Sequence, residues 1–276
     1  DASRRSVYVY ELEIQSHENL VLREVLKHAP EGKQRRLFER TQAQMIFGKE
    51  FPVSKRDPLI SKTRPNASVI STLYKFNHPS ASMIVNIVQG LMSNVSIFGK
   101  FVAPEEMATK YYFQNRDVFD RLNREIKKFD LGIQNVVLNS TTEGVRPFFQ
   151  HKGLGGLMDF AFESGGTQTF YSLFPFIANA LNSGGVAVLD ELDADIHPLL
   201  LPEIIKMFQD KNANPYDAQL IISCHNATLF EYLEKEEVYF TEKDSEGRTS
   251  IYGLKDIRGV RRDTNIYAKY LMGAFG

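Results

Sequence analysis

Cysteine is almost missing from these 276 residues: Cys224 stands alone. One thiol makes neither an internal disulfide nor a Cys-based metal cluster, and this usage suits a reducing cytosol. No sign of charge dominates, since 33 Lys and Arg face 34 Asp and Glu for a net charge of -1. Nothing global therefore draws the chain to nucleic acid or to a membrane, and any such surface has to be local. The opening DASRRSVYVYELEIQ lacks the apolar stretch of a signal peptide, and no segment reaches the ~18 apolar residues of a membrane span. Repeats, low-complexity tracts and long heptad runs are absent as well. These absences, with 43% hydrophobic residues, leave a cytoplasmic globular protein long enough for one large domain or two.

What is present falls into three stretches. Residues 1–78 open with alternation, Val7 and Val9 and then Leu12 and Ile14 apolar, followed by β-rich pieces at 20–26 and 45–47, which predicts an antiparallel sheet. From Pro79 the period changes to a helical one, with Met83, Ile84, Ile87, Val88 and Leu91 in step. Asp117 is placed to cap a further helix carrying Val118, Leu122 and Ile126, so 79–130 reads as a helical layer. In 131–276 short, uniformly apolar strands alternate with helices, the pattern of parallel strands buried on both faces. Its pieces are a strand at 185–189, a helix from Pro198 to Gln209, a strand at 219–222, and a closing hairpin of 237–241 with 249–254 around SEGR.

The chemistry concentrates in GGVAVLDELDADIHP. Val186 to Leu189 lead straight into Asp190 and Glu191, which sets two carboxylates at the C-terminal edge of a buried strand, where open α/β sheets bind ligands. One carboxylate there can hold Mg²⁺ while its neighbour orients and deprotonates the water that attacks a γ-phosphate. Asp190 is assigned to magnesium and Glu191 to the base. By itself the pattern fits equally a strand ending in a solvated acidic turn. Upstream, ESGGTQ at 163–168 precedes a helix with Phe170, Leu173, Phe174, Ile177 and Leu181 on one side. Small residues at a helix start leave its N–H groups open to an anion, although an isolated SGG also suits a flexible loop with a serine cap. Downstream, LIISCHN delivers Ser223 and His225 to the same sheet edge as Asp190, and an imidazole there can sense a γ-phosphate or serve as a hydrogen-bonded structural histidine. Cys224 is most simply a small buried residue.

In this order and spacing, a Gly-rich helix start, a strand ending in Asp-Glu and a strand ending in Ser-x-His resemble the head of an ABC-type ATPase. More narrowly, ESGGTQ, DELDADIHPLL and LIISCHN, with RPNASVISTLYKFN at 64–77 and the terminal DTNIYAKYLMGAFG, are similar to bacterial AAA15/AAA21-type ATPases. These are relatives of the Rad50, SMC and OLD proteins. The resemblance implies a P-loop NTPase fold of the α/β class, with a partly parallel sheet, an N-terminal antiparallel β region and a helical subdomain, and ATP and Mg²⁺ as its nucleotide and metal. It implies that Ser164, Gly165 and Gly166, with Gln168, form a signature loop that contacts ATP held by an opposing subunit, so that hydrolysis needs a head-to-head homodimer or larger oligomer. Asp190 and Glu191 match the Walker B pair, and 192–195 match the D-loop, in which Asp193 communicates across the dimer. Ser223 joins the nucleotide site, and His225 matches the switch histidine. His197 reads as structural or interfacial.

One departure stands out: GxxxxGK[ST] occurs nowhere, and GLGGLMDF at 153–160 lacks the lysine. The expectation is a fragment, or a chain lacking its first lobe, ahead of a natural pseudo-ATPase, in which the intact Asp190, Glu191 and His225 would have no evident use. The function implied is an ATP-driven switch acting on a separate effector, a nuclease or toxin, as in anti-phage defence. Alternatives are an SMC-like DNA clamp, against which the missing coiled coil argues, and an OLD-like ATPase coupled to a nuclease. Basic groups at Lys33, Arg35, Arg36 and Arg40, and at Arg258, Arg261 and Arg262, are candidate DNA contacts but read first as solvated faces.

Overall fold

The computed structural model describes residues 7–29, 32–51, 53, 57–96, 99–129, 132–142, 144–194, 196, 198, 200–261 and 264–275. The chain divides into two compact units, Asp1–Gln89 and Gly90–Gly276. His197, Asp195 of the expected D-loop, and Arg262 lie outside the described residues.

In the first unit β1 (Val7–Gln15), β2 (Leu20–Ala29), β3 (Arg35–Thr41) and β4 (Met45–Phe47) form an antiparallel sheet in chain order, as the alternation predicts. Three helices follow, α1 (Pro58–Ser61), α2 (Val69–Lys75) and α3 (Pro79–Gln89). Leu26, Phe38, Phe51, Leu73 and Ile84 share the core. A carboxylate is buried beside it: Glu24 accepts from the Val69 and Ile70 amides at 2.7 and 3.3 Å and from the Tyr10 hydroxyl at 2.9 Å. Arg40 lies 3.9 Å from Glu24 and donates to the carbonyls of Ala67 and Arg64. The RPNAS turn is thereby pinned to the sheet. Arg40 is consequently buried rather than part of a solvated basic face, because an opposite charge and two carbonyls replace its water. Arg35 and Arg36 do remain at the surface, paired with Glu50 and Glu39.

The second unit opens with a strand inside the stretch read as helical. β5 (Leu91–Ser93) leads into a small hairpin of β6 (Val95–Ser96) and β7 (Gly99–Lys100), and only then come α4 (Glu105–Gln114) and α5 (Arg116–Phe129). Asp117 is not the cap of α5; it lies in the first turn, where a carboxylate faces the positive end of the helix dipole. An antiparallel sheet of β8 (Ile133–Thr141), β9 (Gly144–His151) and β10 (Leu157–Asp159) precedes α6 (Gly165–Ser183). Next come β11 (Val186–Leu189), α7 (Leu201–Gln209) and β12 (Gln219–Ile222). The helix expected from Pro198 begins at Leu201 instead, and Pro202 takes the early position that proline favours. β13 (Tyr239–Lys243) and β14 (Thr249–Gly253) make the predicted hairpin, and α8 (Ile266–Leu271) closes a small core of Val238, Leu254, Val260 and Phe275.

β11 runs parallel to both neighbours in the order β12-β11-β5. Gly185 permits this: a Cβ there would sit 2.0 Å from the carbonyl oxygen of Gly90, which accepts the Val186 amide proton. α6 buries Phe170, Leu173, Phe174, Ile177 and Leu181, the face its periodicity predicts. Pro175 interrupts its hydrogen-bond ladder, because proline has no N–H to give to the carbonyl of Tyr171. The hydroxyl of Tyr112, fully buried, donates to that carbonyl at 2.7 Å. Tyr171 itself packs among Tyr112, Phe149 and Phe160 with ring centres 4.9, 5.9 and 5.4 Å away, which anchors the first turns of α6. Among the described residues no helix is long and apolar enough to cross a membrane.

Candidate functional site

Ala187 and Leu189 are buried while Asp190 and Glu191 emerge at the C-terminal end of β11. Glu191 adopts φ 46°, the left-handed region that side-chain-bearing residues enter only when their surroundings impose it. The surroundings here are specific. The Glu191 amide donates to the Ser223 hydroxyl at 2.9 Å, and that hydroxyl donates to Oδ1 of Asp190. The Leu192 amide donates to the Ser223 carbonyl at 3.2 Å. On the other side Asn94 accepts from the Asp190 amide at 2.7 Å and donates to the Asp190 carbonyl at 3.2 Å, and the Lys100 ammonium donates to the Glu191 carbonyl at 3.1 Å.

The turn after β12 is tied to the same place. The Asp193 carboxylate accepts from the His225 amide at 2.8 Å, while its other oxygen is buried without a hydrogen-bond partner. The Asp193 carboxylate thus faces the neighbouring loop of its own chain. Between them, burial and then the charge of Asp193 raise the pKa of the Cys224 thiol. His225 and Glu191 are both exposed. Five of the predicted residues, Asp190, Glu191, Asp193, Ser223 and His225, are therefore linked by hydrogen bonds across 32 or 33 positions of sequence.

Ser164, Gly165, Gly166 and Gln168 form a second group at the start of α6. Ser164 caps the helix by accepting from the Thr167 amide at 3.2 Å, and Ser164 and Gly165 are exposed. Gln168 turns back, its amide donating to the carbonyls of Phe160 and Glu163 at 2.9 and 3.1 Å. Glu163 is buried and meets His151 Nε2 at 2.7 Å. The loop is thus built, with its glycine amides at the exposed end of a 19-residue helix.

Chemically, Asp190 and the hydroxyl of Ser223 present hard oxygen donors. Among the described residues no group of three or more His, Cys, Asp and Glu is placed to hold a metal. That donor set fits Mg²⁺, which takes one or two carboxylates and leaves its other positions to water and phosphate. Asn94 and Lys100 were not legible as site residues, because a lone Asn and a lone Lys ~90 or more positions upstream carry no local signal.

Three solved structures of SMC heads are similar to the chain at low identity. One, described as "Structural biochemistry of ATP-driven dimerization and DNA stimulated activation of SMC ATPases", gives a TM-score of 0.43 at 11% identity over 60% of this chain and 96% of that one. The SMC head domain from Thermotoga maritima gives 0.39 at 12% identity over 90% and 74%. The SMC head bound to the C-winged helix domain of ScpA gives 0.42 at 9% over 91% and 75%. No curated protein matches the chain. The family described as "AAA domain, putative AbiEii toxin, Type IV TA system" matches residues 2–231, and the chain belongs to this AAA domain family.

Proposed function

We propose that this chain is the hydrolytic part of an ATPase head: two copies close around ATP, and hydrolysis releases them and changes the state of a separate effector. The observation that carries the reading is the hydrogen-bonded junction of the turns after β11 and β12, in which Ser223 joins Asp190 to Glu191. In this reading Asp190 and Ser223 hold Mg²⁺, which when bound neutralises phosphate charge. Glu191, exposed at the strand end, orients the attacking water and takes its proton, and His225 reads the γ-phosphate. The 276 residues hold no GxxxxGK[ST], so the β- and γ-phosphates are cradled by residues outside them.

Helix geometry supports a role in trans for Ser164, Gly165 and Gly166. α6 packs against β11 and joins it through the left-handed Gly184 and the following Gly185. Its 19 residues span about 28 Å against about 13 Å for the 4 residues of β11, and Ser164 and Gly165 are exposed at its start, where a facing subunit can reach them. The family description names a "putative AbiEii toxin, Type IV TA system"; the separate effector and the anti-phage setting are this reading's own and rest on the sequence resemblance. The test is light scattering and phosphate release on the intact protein with ATP and Mg²⁺. ATP-dependent doubling of mass with slow phosphate release is expected; a protein that stays monomeric and releases no phosphate at saturating ATP refutes the reading.

A further inference from the structure

We infer that the paired strands β6 and β7, with the flanking Asn94, are a brace that aims Glu191, Asn94 and Lys100 being its two positioning residues. This rests on the proposed role of Glu191 as general base. Three features combine. First, the hairpin closes at its base, where the Phe101 amide donates to the Asn94 carbonyl at 2.6 Å and Val95 pairs with Lys100. Second, its two sides reach two consecutive residues: Asn94 grips both the amide and the carbonyl of Asp190, and Lys100 donates to the carbonyl of Glu191. Asn94 is only 1% exposed, and its own amide donates to the Val188 carbonyl at 3.2 Å, so it continues the β5–β11 ladder as it grips. Third, the residue that follows the gripped Asp190, and whose carbonyl Lys100 holds, resists its own conformation, since Glu191 sits at φ 46°.

A side chain in the left-handed region relaxes to the common conformations once its constraints are removed, and such strain persists only where neighbours over-determine it. Asn94 suits this task because one amide group supplies an acceptor and a donor in a fixed plane, matching the N–H and C=O of a single residue. Asp in its place keeps the acceptor and loses the donor. Lys100 adds a charge-assisted bond to the next carbonyl, fixing the plane of the peptide that follows Glu191. Ser223 holds the opposite side by accepting the Glu191 amide. Between these contacts the backbone has little freedom, and the exposed carboxylate is directed by it. A general base misplaced by about 1 Å loses about a hundredfold in rate, which gives the brace its catalytic consequence.

The test uses the intact protein. Asn94→Ala is expected to lower kcat for ATP about ten- to hundredfold with KM nearly unchanged, and Lys100→Met about three- to tenfold. Asn94→Asp should fall between them. Because Asn94 also holds Asp190, the comparison is made at saturating Mg²⁺; there Asn94→Ala added to Glu191→Gln should leave the residual rate within about twofold. An equal loss in both backgrounds overturns the proposal, since a merely structural asparagine lowers both. Amide exchange supplies a readout free of catalysis: Asn94→Ala should speed exchange of the Asp190 and Glu191 amides at least about tenfold. Unchanged exchange in both Asn94→Ala and Lys100→Met also overturns it. Should Asn94→Ala fail to fold, Lys100→Met at the half-buried Lys100 carries the same comparison. Full turnover in Glu191→Gln alone sinks the general-base reading instead, a separate failure that wild-type-like exchange data would not produce.

Discussion

Ser223 and Glu191 meet through one hydrogen bond of 2.9 Å, from the glutamate amide to the serine hydroxyl. An amide can only donate, so the hydroxyl proton is left for Asp190, whose Oδ1 it reaches. One oxygen therefore joins the two carboxylate-bearing residues, and the strand order β12-β11 brings it there from 32 positions away. The Glu191 carboxylate remains exposed for work outside this network.

That exposure underlies the first prediction. Glu191→Gln keeps the size and the backbone bonds of the turn and removes the proton acceptor. Turnover should fall ~10² or more while ATP binding and ATP-dependent dimerisation persist. Phosphate release and nucleotide titration on the same preparation decide it, and normal turnover removes Glu191 from the role.

Ser164→Arg examines the other group. The cap bond to Thr167 would be lost, at a cost of about 1 kcal/mol to α6, and a bulky cation would stand where Ser164 is exposed. In the trans reading nucleotide binding to the isolated subunit survives and the ATP-dependent dimer disappears. Loss of binding to the monomer would mean that the loop serves its own subunit.

The parts of the fold that were legible share a physical property: their signal is local. β1 alternates as a strand does, although Val7, Leu12 and Ile14 are exposed and it is Tyr8 and Tyr10 that pack on the core; β11 is uniformly apolar as the central strand of a parallel sheet, while its neighbour β12 carries Gln219 and an exposed Ile221; and α6 repeats Phe170, Phe174, Ile177 and Leu181 with helical spacing. The Asp190 and Ser223 junction was legible too, since both follow apolar strands whose ends meet. What escaped depends on partners far away in sequence. Arg40 reads as a surface cation until Glu24, on the neighbouring strand, is seen to bury it. Asn94 lies 96 positions from Asp190. β5 was hidden because Leu91 and Met92 continue the apolar count of α3, and a short apolar run does not declare its period.

Cys224 offers a chemical probe of the site, being the single thiol. Its pKa is raised from 9.0 by burial and by the charge of Asp193, which keeps it protonated and slow to alkylate. Asp193→Asn removes the charge and keeps an oxygen to accept the His225 amide proton. Iodoacetamide labelling at mildly alkaline pH, followed by mass spectrometry, should then run measurably faster. An unchanged rate would show that the carboxylate does not act on the thiol.

Tyr112→Phe should destabilise the second unit by about 1–3 kcal/mol, because it leaves the Tyr171 carbonyl buried and unsatisfied. Pro175 is the reason that carbonyl needs an outside partner. Pro175→Ala restores a helix amide, so Tyr112→Phe should cost less in that background. Denaturation midpoints of the four proteins of this cycle measure the coupling, and strict additivity would contradict the account.

Glu24 gives the first unit a pH dependence whose sign follows from its surroundings. Burial raises its pKa above the ordinary 4.5, outweighing the opposing bonds from Val69, Tyr10 and Ile70 and the charge of Arg40. A carboxyl that holds its proton more tightly when folded adds stability that is complete below the unfolded pKa. That contribution is lost as pH rises through the raised folded value. Glu24→Gln, neutral throughout, should therefore be flatter in stability from about pH 4 upward, with the wild-type advantage largest in acid and shrinking as pH rises. Denaturant midpoints across that range, read with exchange at the Val69 and Ile70 amides to localise the effect, provide the measurement. An advantage that grows with pH would mean that the hydrogen bonds and Arg40 outweigh burial and that Glu24 is held as a carboxylate, reversing the cause assigned to it.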